Sequence, residues 1–229
     1  MAMYIPKMFR LKNRPELGKI PLDIIRQHLP PSPTVFEAGA HIGSDTSEMA
    51  ETWPDAKIYA FEPIPKIFKQ LRSNTKRFKN VHCYKLAIGE KSGNVKIYVS
   101  GGASDGSSSI LAPKEHLNLH PDVTFPEQIS VKVESIDSWA KNQEIKDIDF
   151  LWLDLQGLEL AALKGANRIL KTVSAIHTEV NLVEVYEGVP LYPELKSWLK
   201  NYDFRVEIEA IDWDDGGNVL FVKDNHASR

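Results

Sequence analysis

The chain has 229 residues with a formal net charge of −3, and 42% of its residues are hydrophobic while 26% are charged. These values are typical of one globular domain and argue against a disordered chain or a nucleic-acid-binding surface. The single cysteine, Cys83, excludes an internal disulfide, and no apolar run is long enough to span a bilayer. Residues 1–14 also lack the apolar core of a secretion signal. We therefore expect a cytoplasmic protein without a nucleic-acid partner or a membrane span.

The first 32 residues mix basic and apolar side chains with several prolines. Apolar residues between Leu22 and Leu29 predict one short amphipathic helix, which ends at Pro30. We interpret residues 1–32 as an arm that covers the domain formed by residues 33–229.

Strands and helices alternate along the rest of the chain. The predicted strands cover residues 34–37, 58–62, 81–88, 95–99, 129–133, 150–155, 175–180, 204–211 and 218–222, and the predicted helices cover residues 44–53, 66–78, 136–140, 159–171 and 192–201. This alternation predicts an α/β fold with a mainly parallel sheet and helices on both faces. The turn at residues 214–217 predicts a final hairpin, which adds one antiparallel strand.

Three acidic residues stand at the ends of predicted strands, namely Glu37, Glu62 and Asp154. The carboxyl ends of parallel strands form the ligand-binding edge of an open α/β sheet. Gly39 and Gly43 follow the first strand, and glycine permits a left-handed backbone or a close approach by a ligand. The sequence therefore predicts a ligand site at this edge.

The same residues favour S-adenosylmethionine over a nicotinamide dinucleotide. Glu62 follows Gly39 at about the spacing of the acid that binds ribose hydroxyls in Rossmann proteins, and both ligands carry such a ribose. A pyrophosphate over the turn would lie near Glu37, and two like charges ~4 Å apart repel by roughly 4 kcal/mol at an effective dielectric of 20. The same carboxylate would attract a sulfonium or ammonium group. The spacing of Gly39 and Gly43 also departs from the G-x-G-x-x-G pattern of dinucleotide sites.

Two alternative functions remain open. Tyr192 and Lys196 match the Tyr-x-x-x-Lys pair of short-chain dehydrogenases, which would make the protein an NAD(P)-dependent oxidoreductase. Pro193 places Tyr192 at a helix start instead of inside a formed helix, so we do not favour this reading. The other alternative is a relative that binds the cofactor without catalysing a reaction.

The ordered set of short motifs resembles the FkbM family of class I S-adenosylmethionine-dependent methyltransferases. The segments that carry the resemblance are residues 37–43, Phe61-Glu62-Pro63, Leu86-Ala87-Ile88-Gly89, Ser107-Ser108-Ser109, Asp154-Leu155-Gln156-Gly157 with Glu159, Leu163-Lys164-Gly165-Ala166 and Val185-Tyr186-Glu187-Gly188. They span about residues 33–222 and leave the arm uncovered. The resemblance implies a Rossmann-like seven-stranded sheet with an antiparallel last strand. It also implies O-methylation of a hydroxyl on a sugar, glycan or secondary metabolite, with S-adenosylhomocysteine as product.

The resemblance also implies which residues bind the cofactor. Glu37, Gly39 and Gly43 would line its methionine portion, and Glu62 would bind the ribose diol. Ala87 would border the adenine, with a loop contact from Ser107 or Ser108, while Asp154 and Gln156 would face the methyl-transfer region. Ala40 and Pro63 are also expected to contact the cofactor. No acid stands beside Ala87, where many class I methyltransferases bind the adenine amine.

A hydroxyl acceptor must lose its proton, and a placed base typically contributes 10²–10⁴-fold to such a step. The candidates are Asp154, His177 and Glu179, all expected at strand ends. These three could also bind a metal, but we expect none. His116 and His120 have helical spacing without an evident third ligand, so we interpret them as a solvated pair. The identity of the acceptor and the oligomeric state stay open.

Overall fold

The computed structural model describes residues 18–224 of the chain. In chain order its elements are α1 (Leu22–Arg26), β1 (Thr34–Ala38), α2 (Ser44–Thr52), β2 (Lys57–Phe61), α3 (Pro65–Thr75), β3 (Val81–Tyr84), β4 (Ala87–Ile88), β5 (Gly93–Gly102), α4 (His116–Leu119), β6 (Val123–Glu134), α5 (Ile136–Asn142), β7 (Phe150–Leu153), α6 (Glu159–Lys164), a 3₁₀ turn (Ile169–Lys171), β8 (Ala175–Asn181), α7 (Tyr192–Lys200), β9 (Phe204–Ala210) and β10 (Gly216–Lys223). No helix of this described part is long and apolar enough to cross a membrane.

Seven strands form the main sheet in the order β3-β2-β1-β7-β8-β10-β9. The pairs from β3 to β8 are parallel, and β10 runs antiparallel to both β8 and β9. This confirms the predicted mainly parallel sheet with an antiparallel last strand. The strand order reverses between β1 and β7, and ligands bind at such a switch point in open α/β sheets.

Both faces of the sheet are buried, as the continuous apolar strands predict. On one face the ring of Phe36 stacks on Phe61 at a centroid distance of 4.3 Å and meets Trp139 edge-on at 5.2 Å. On the other face Trp53 packs edge-on against Phe150 at 6.0 Å. Each such buried ring contributes about 1.5–3 kcal/mol through the hydrophobic effect. The sheet is therefore a rigid base for the loops at its carboxyl edge.

A second sheet of three strands, in the order β4-β6-β5, corrects two predictions. Residues 81–88 are not one strand, because β3 ends at Tyr84 and β4 pairs with β6 in the other sheet. The strands predicted at residues 95–99 and 129–133 extend into a long antiparallel hairpin of β5 and β6. Pairing between residues so far apart in the chain leaves no local signal in the sequence.

The helix predicted for residues 159–171 is also shorter than expected. Helix α6 ends at Lys164, and Gly165 follows at a point where a Cβ atom would lie 2.6 Å from the carbonyl oxygen of Gly89. The close approach of the two backbones explains why the helix stops there.

The described part of the arm packs on the main sheet. Ile20 and Ile25 are fully buried in the same apolar cluster as Val35 and Phe150. The predicted helix is present as the short α1, and residues 1–17 of the arm lie outside the described residues.

Candidate active site

The glycine turn after β1 joins the ends of three strands. Gly39 has φ +87°, and a Cβ atom there would lie 1.7 Å from the carbonyl oxygen of Asp154. The backbone N–H groups of Gly39 and Ala40 donate to the carbonyl oxygen of Phe61 at 3.1 and 2.9 Å. Only glycine fits this position, because both the backbone conformation and the contact with Asp154 exclude a side chain.

Gly43 closes the same turn and precedes α2. Its φ is also +87°, and a Cβ atom would lie 2.7 Å from Cδ1 of Leu71. Gly43 therefore sets the packing of the turn against α3, but it does not line the adjoining cavity.

A first cavity of about 200 Å³ opens at the carboxyl ends of β1, β2 and β7. Of the predicted cofactor-binding residues, those that line it are Gly39, Ala40, Glu62, Pro63, Ala87, Ser108, Asp154 and Gln156. The structure thus brings eight of the ten predicted residues together at one cavity and leaves Glu37 and Gly43 behind its wall.

Glu62 is the buried acid of the first cavity. Glu62 is only 5% exposed, and its Oε1 accepts a hydrogen bond from the backbone N–H of Ile64 at 2.7 Å. Burial raises the pKa of Glu62 to about 7, although the backbone hydrogen bonds oppose this rise. A ligand whose hydroxyl groups donate hydrogen bonds to this carboxylate would favour its ionised form.

Glu37 lies beneath the turn and not in the cavity. Its carboxyl group is buried, and Oε2 accepts a hydrogen bond from Oγ1 of Thr46 at 2.6 Å. Burial raises the pKa of Glu37 to about 8, so the carboxyl is mostly protonated at neutral pH. The position does not support the direct contact with a cationic ligand that the sequence suggested.

A carboxyl pair lies where β7 and β8 end. One side-chain nitrogen, Nε2 of Gln156, donates to Oδ1 of Asp154 and to Oε2 of Glu179, both at 2.8 Å. Asp154 is open to the cavity but enclosed by protein on its other sides, and burial raises its pKa. Burial and the neighbouring acids raise the pKa of Glu179 well above its ordinary range. Two carboxyl groups held this close repel each other when both are ionised, which favours the protonated form of one of them.

Two residues without a predicted role, Tyr186 and Glu159, help to hold this pair in position. The hydroxyl of Tyr186 lies 2.9 Å from the carbonyl oxygen of Ser107 and 3.0 Å from Oε1 of Gln156. Oε1 of Glu159 accepts from the backbone N–H groups of Leu155 and Gly157 at 2.8 and 3.3 Å. The motif positions of Tyr186 and Glu159 were visible in the sequence, but only the fold shows what they contact.

A second cavity of about 730 Å³ adjoins the first, and Gly106 and Gln156 line both. Glu179 lines the second cavity and Asp154 the first. The carboxyl pair therefore lies at the junction of the two cavities.

The loop that follows β5 folds back over this junction. Oγ of Ser109 donates to the carbonyl oxygen of Gln156 at 2.7 Å, and Oγ of Ser108 accepts from the backbone N–H of Ser100 at 2.9 Å. Ser108 thus lines the first cavity with its hydroxyl already engaged. These two hydrogen bonds hold the glycine- and serine-rich segment over the site.

The apolar part of the first cavity was not predicted. It is formed by Leu86, Ile88, Ile97, Ile110, Leu155 and Leu158 around Ala87. Ile97 and Ile110 lie on or beside the hairpin of the second sheet, whose place at the ligand edge no local pattern indicates.

His177 is the predicted candidate base that the structure does not bring to the site. Its ring stacks on Trp152 at 3.8 Å between centroids, with 15° between the ring planes, and it lines neither cavity. His177 lies two positions before Glu179 on the same face of β8 but further from the end of the strand, and there its ring is buried against Trp152. Burial lowers the pKa of His177 to about 3, which leaves the ring neutral.

The two histidines that we interpreted as a solvated pair differ from each other. His116 is only 5% exposed, so it is not solvated as expected, whereas His120 is exposed as expected; both line the second cavity. His120 Nε2 lies 2.7 Å from Oδ2 of Asp215. Among residues 18–224 no three histidine, cysteine or acidic side chains are grouped so that they could hold a metal ion.

The dehydrogenase-like pair is not assembled for catalysis. Tyr192 donates its hydroxyl proton to Glu209, and Nζ of Lys196 donates to the same carboxylate at 3.1 Å. Neither residue lines the first or the second cavity.

Comparison with known proteins decides the family. The methyltransferase FkbM domain matches residues 37–206. The chain belongs to the FkbM methyltransferase family. The oxidoreductase alternative is not favoured, and the resemblance read from the short motifs is confirmed.

Named relatives include an O-methyltransferase and a hexuronic acid methyltransferase. The 2-O-methyltransferase NoeI of Sinorhizobium fredii is 31% identical over 163 residues, which cover 69% of this chain and 67% of NoeI. The hexuronic acid methyltransferase AglP of Haloferax volcanii is 24% identical over 156 residues, which cover 68% of this chain and 56% of AglP.

Solved structures show the same fold. The FkbM methyltransferase from Methylobacillus flagellatus aligns with a TM-score of 0.53 at 17% identity, over 84% of this chain but only 44% of that one. The magnesium protoporphyrin IX methyltransferase of Synechocystis, solved with bound S-adenosylmethionine, aligns with a TM-score of 0.51 at 10% identity, over 88% of this chain and 74% of that one.

Proposed function

We propose that the protein transfers a methyl group from S-adenosylmethionine in the first cavity to a hydroxyl of a sugar or glycan in the second. The observation that carries this proposal is the junction of the two cavities at Asp154, Gln156 and Glu179. The sugar acceptor is supported by NoeI and AglP, whose names give 2-O-methylation and hexuronic acid methylation.

The lining of the first cavity fits the cofactor. Glu62, at the end of β2, offers a carboxylate to the two ribose hydroxyls. Burial raises the pKa of Glu62, and hydrogen bonds from these hydroxyls would lower it again by stabilising the ionised form. Ala87 and its apolar neighbours provide a dry surface for the adenine ring. The backbone of Gly39 and Ala40 would lie against the methionine portion, with Asp154 close to the positive charge.

Bound S-adenosylmethionine supplies an electrophilic methyl group, and the chain supplies alignment and a proton acceptor. Holding the acceptor hydroxyl in line can contribute roughly 7–11 kcal/mol to lowering the barrier. The ionised member of the Asp154–Glu179 pair accepts the hydroxyl proton as the acceptor oxygen is methylated. Gln156 holds both carboxyl groups through its two N–H bonds, and Tyr186 fixes the other end of its amide.

Calorimetric titration with S-adenosylhomocysteine tests the cofactor assignment. We expect binding by the wild-type protein and a loss of about tenfold or more in Glu62→Ala, because a hydrogen bond to a charged group contributes roughly 1.5–3 kcal/mol. The matched control is Glu127→Ala, which removes an exposed acid of β6 and should bind normally. Binding of NAD without binding of S-adenosylhomocysteine would overturn the proposal.

Methyl transfer itself is measured with a panel of sugars and radiolabelled S-adenosylmethionine. We expect labelled methyl ether on at least one sugar hydroxyl. Normal cofactor binding with transfer only to non-sugar acceptors would restrict the proposal to its cofactor part.

A further inference from the structure

The charged side chains that line the second cavity are mainly acidic. Its described lining residues include the acids Glu179, Asp212, Asp214 and Asp215, and they include neither lysine nor arginine. Three of these acids belong to the segment of residues 211–215 that connects β9 to β10. The wall that residues 211–215 contribute to the second cavity is therefore negative.

The acids of this wall are partly held by the fold. Oδ2 of Asp212 accepts from the backbone N–H of Gly18 at 2.8 Å, and Asp215 pairs with His120. Asp214 is exposed. A positive histidine would neutralise only one of the carboxylates, so the wall keeps its negative sign.

A buried histidine lies beside this wall. His116 lines the cavity and is only 5% exposed. Its Nδ1 has no hydrogen-bond partner among the described residues, but this nitrogen is itself buried and does not open to the cavity. The ring packs against Tyr186 and Phe125 at centroid distances of 5.4 and 5.3 Å, so the histidine contributes a rigid surface.

An aromatic face completes the wall. Trp213 lines the cavity with 42% of its surface exposed, and its ring packs over the backbone of Gly18. An exposed indole offers a flat surface to the apolar face of a sugar and attracts a cation placed over it.

From this charge and the exposed indole, we infer that the acceptor pocket takes an uncharged or amine-bearing sugar and rejects acidic sugars. The inference rests on the proposed function. A carboxylate or phosphate on the acceptor would face Asp212 and Asp214 without a lysine or arginine among the described lining residues. Like charges across an interface suppress the wrong partner. The sugar preference inferred for this pocket thus differs from that of AglP, whose name gives a hexuronic acid as the methylated compound.

The test compares three matched probes, namely glucosamine, glucose and glucuronic acid. Each is titrated into the full chain saturated with S-adenosylhomocysteine, and binding is followed by saturation-transfer NMR at low salt. We expect glucuronic acid to bind about tenfold or more weakly than glucose, as for one unit charge roughly 10 Å from another at an effective dielectric near 20. Glucosamine should bind at least as well as glucose, and added salt should narrow the differences.

Variants separate charge from shape. Asp214→Lys should raise the affinity for glucuronic acid relative to glucosamine by about tenfold or more, and Asp214→Asn should give an intermediate ratio. The control Asp55→Lys makes the same charge change in the exposed turn before β2, at the opposite end of the strands, and should leave the ratio unchanged.

The outcomes are distinguishable from failure of the proposed function. If S-adenosylhomocysteine does not bind, the proposed function fails before any sugar is added. If it binds, the inference is overturned by glucuronic acid binding as well as glucose, by an unchanged ratio in Asp214→Lys, or by no binding of any probe.

Discussion

Replacing Glu37 by glutamine should remove a specific part of the pH dependence of folding. Burial raises the pKa of Glu37 from its ordinary value of 4.5 to about 8. The folded state therefore binds a proton more tightly than the unfolded state. The stabilisation is fully present below pH 4.5 and is lost as the pH rises through about 8.

The magnitude follows from the two pKa values. Their difference, 8 minus 4.5, corresponds to about 5 kcal/mol in total, and about 3 kcal/mol of this is already lost at pH 7. Glu62, Glu159 and the Asp154–Glu179 pair titrate in the same direction, so the wild-type curve alone does not isolate Glu37. Glutamine keeps the size of the side chain and an oxygen that can accept from Thr46.

The assay is urea unfolding of wild type and Glu37→Gln at several pH values from 4.5 to 9, without cofactor. As the pH rises over this range, the free energy of unfolding of the variant should increase by a few kcal/mol relative to that of the wild type. The exposed control Glu127→Gln should stay parallel to the wild type. Parallel curves for Glu37→Gln would refute the reasoning.

Three further substitutions test the site. Gly39→Ala should destabilise the protein by several kcal/mol in thermal unfolding and abolish binding of S-adenosylhomocysteine, because its Cβ would lie 1.7 Å from a carbonyl oxygen, whereas nothing lies within 4 Å of a Cβ at the control Gly93→Ala. Glu179→Gln should keep cofactor binding in calorimetry but slow methyl transfer by about 10²–10⁴-fold, and unchanged turnover would clear Glu179 of the base role. His177→Ala should lower the melting temperature through loss of the stack on Trp152 but keep turnover in the folded protein, and a loss of turnover matching that of Glu179→Gln would restore His177 as a candidate.

Local patterns predicted the strand ends but not how deep each side chain lies. Glu62 and Asp154 directly follow strands of the parallel sheet, and the sheet edge brings them to one cavity. His177 and Glu179 share one face of β8, yet two positions along the strand separate a ring stacked in the core from a carboxyl group at the cavity. The different positions of His177 and Glu179 depend on the strand register and on where the strand ends. Local sequence patterns determine neither of these.

Residues from connections were the least predictable. Tyr186 and Trp213 follow β8 and β9, and their contacts depend on how two long-range segments fold over the edge. The second sheet contributes Ile97 of β5 to the apolar wall of the first cavity. The alternating pattern around Ile97 predicts a strand, but it does not show where that strand lies in the fold. Glu37 was placed at the right edge, but its burial under Gly43 and Thr46 depends on the helix that follows.

The two cavities draw on separate parts of the chain. Apart from Gly106 and Gln156, no described residue lines both, and the segment of residues 211–215 together with α4 lines only the second. Substitutions in these two connections can therefore alter the acceptor while leaving the methyl-donor site intact. Under the proposed function, a directed search for variants that accept new sugars should begin in residues 211–215 and 116–120, which line only the second cavity.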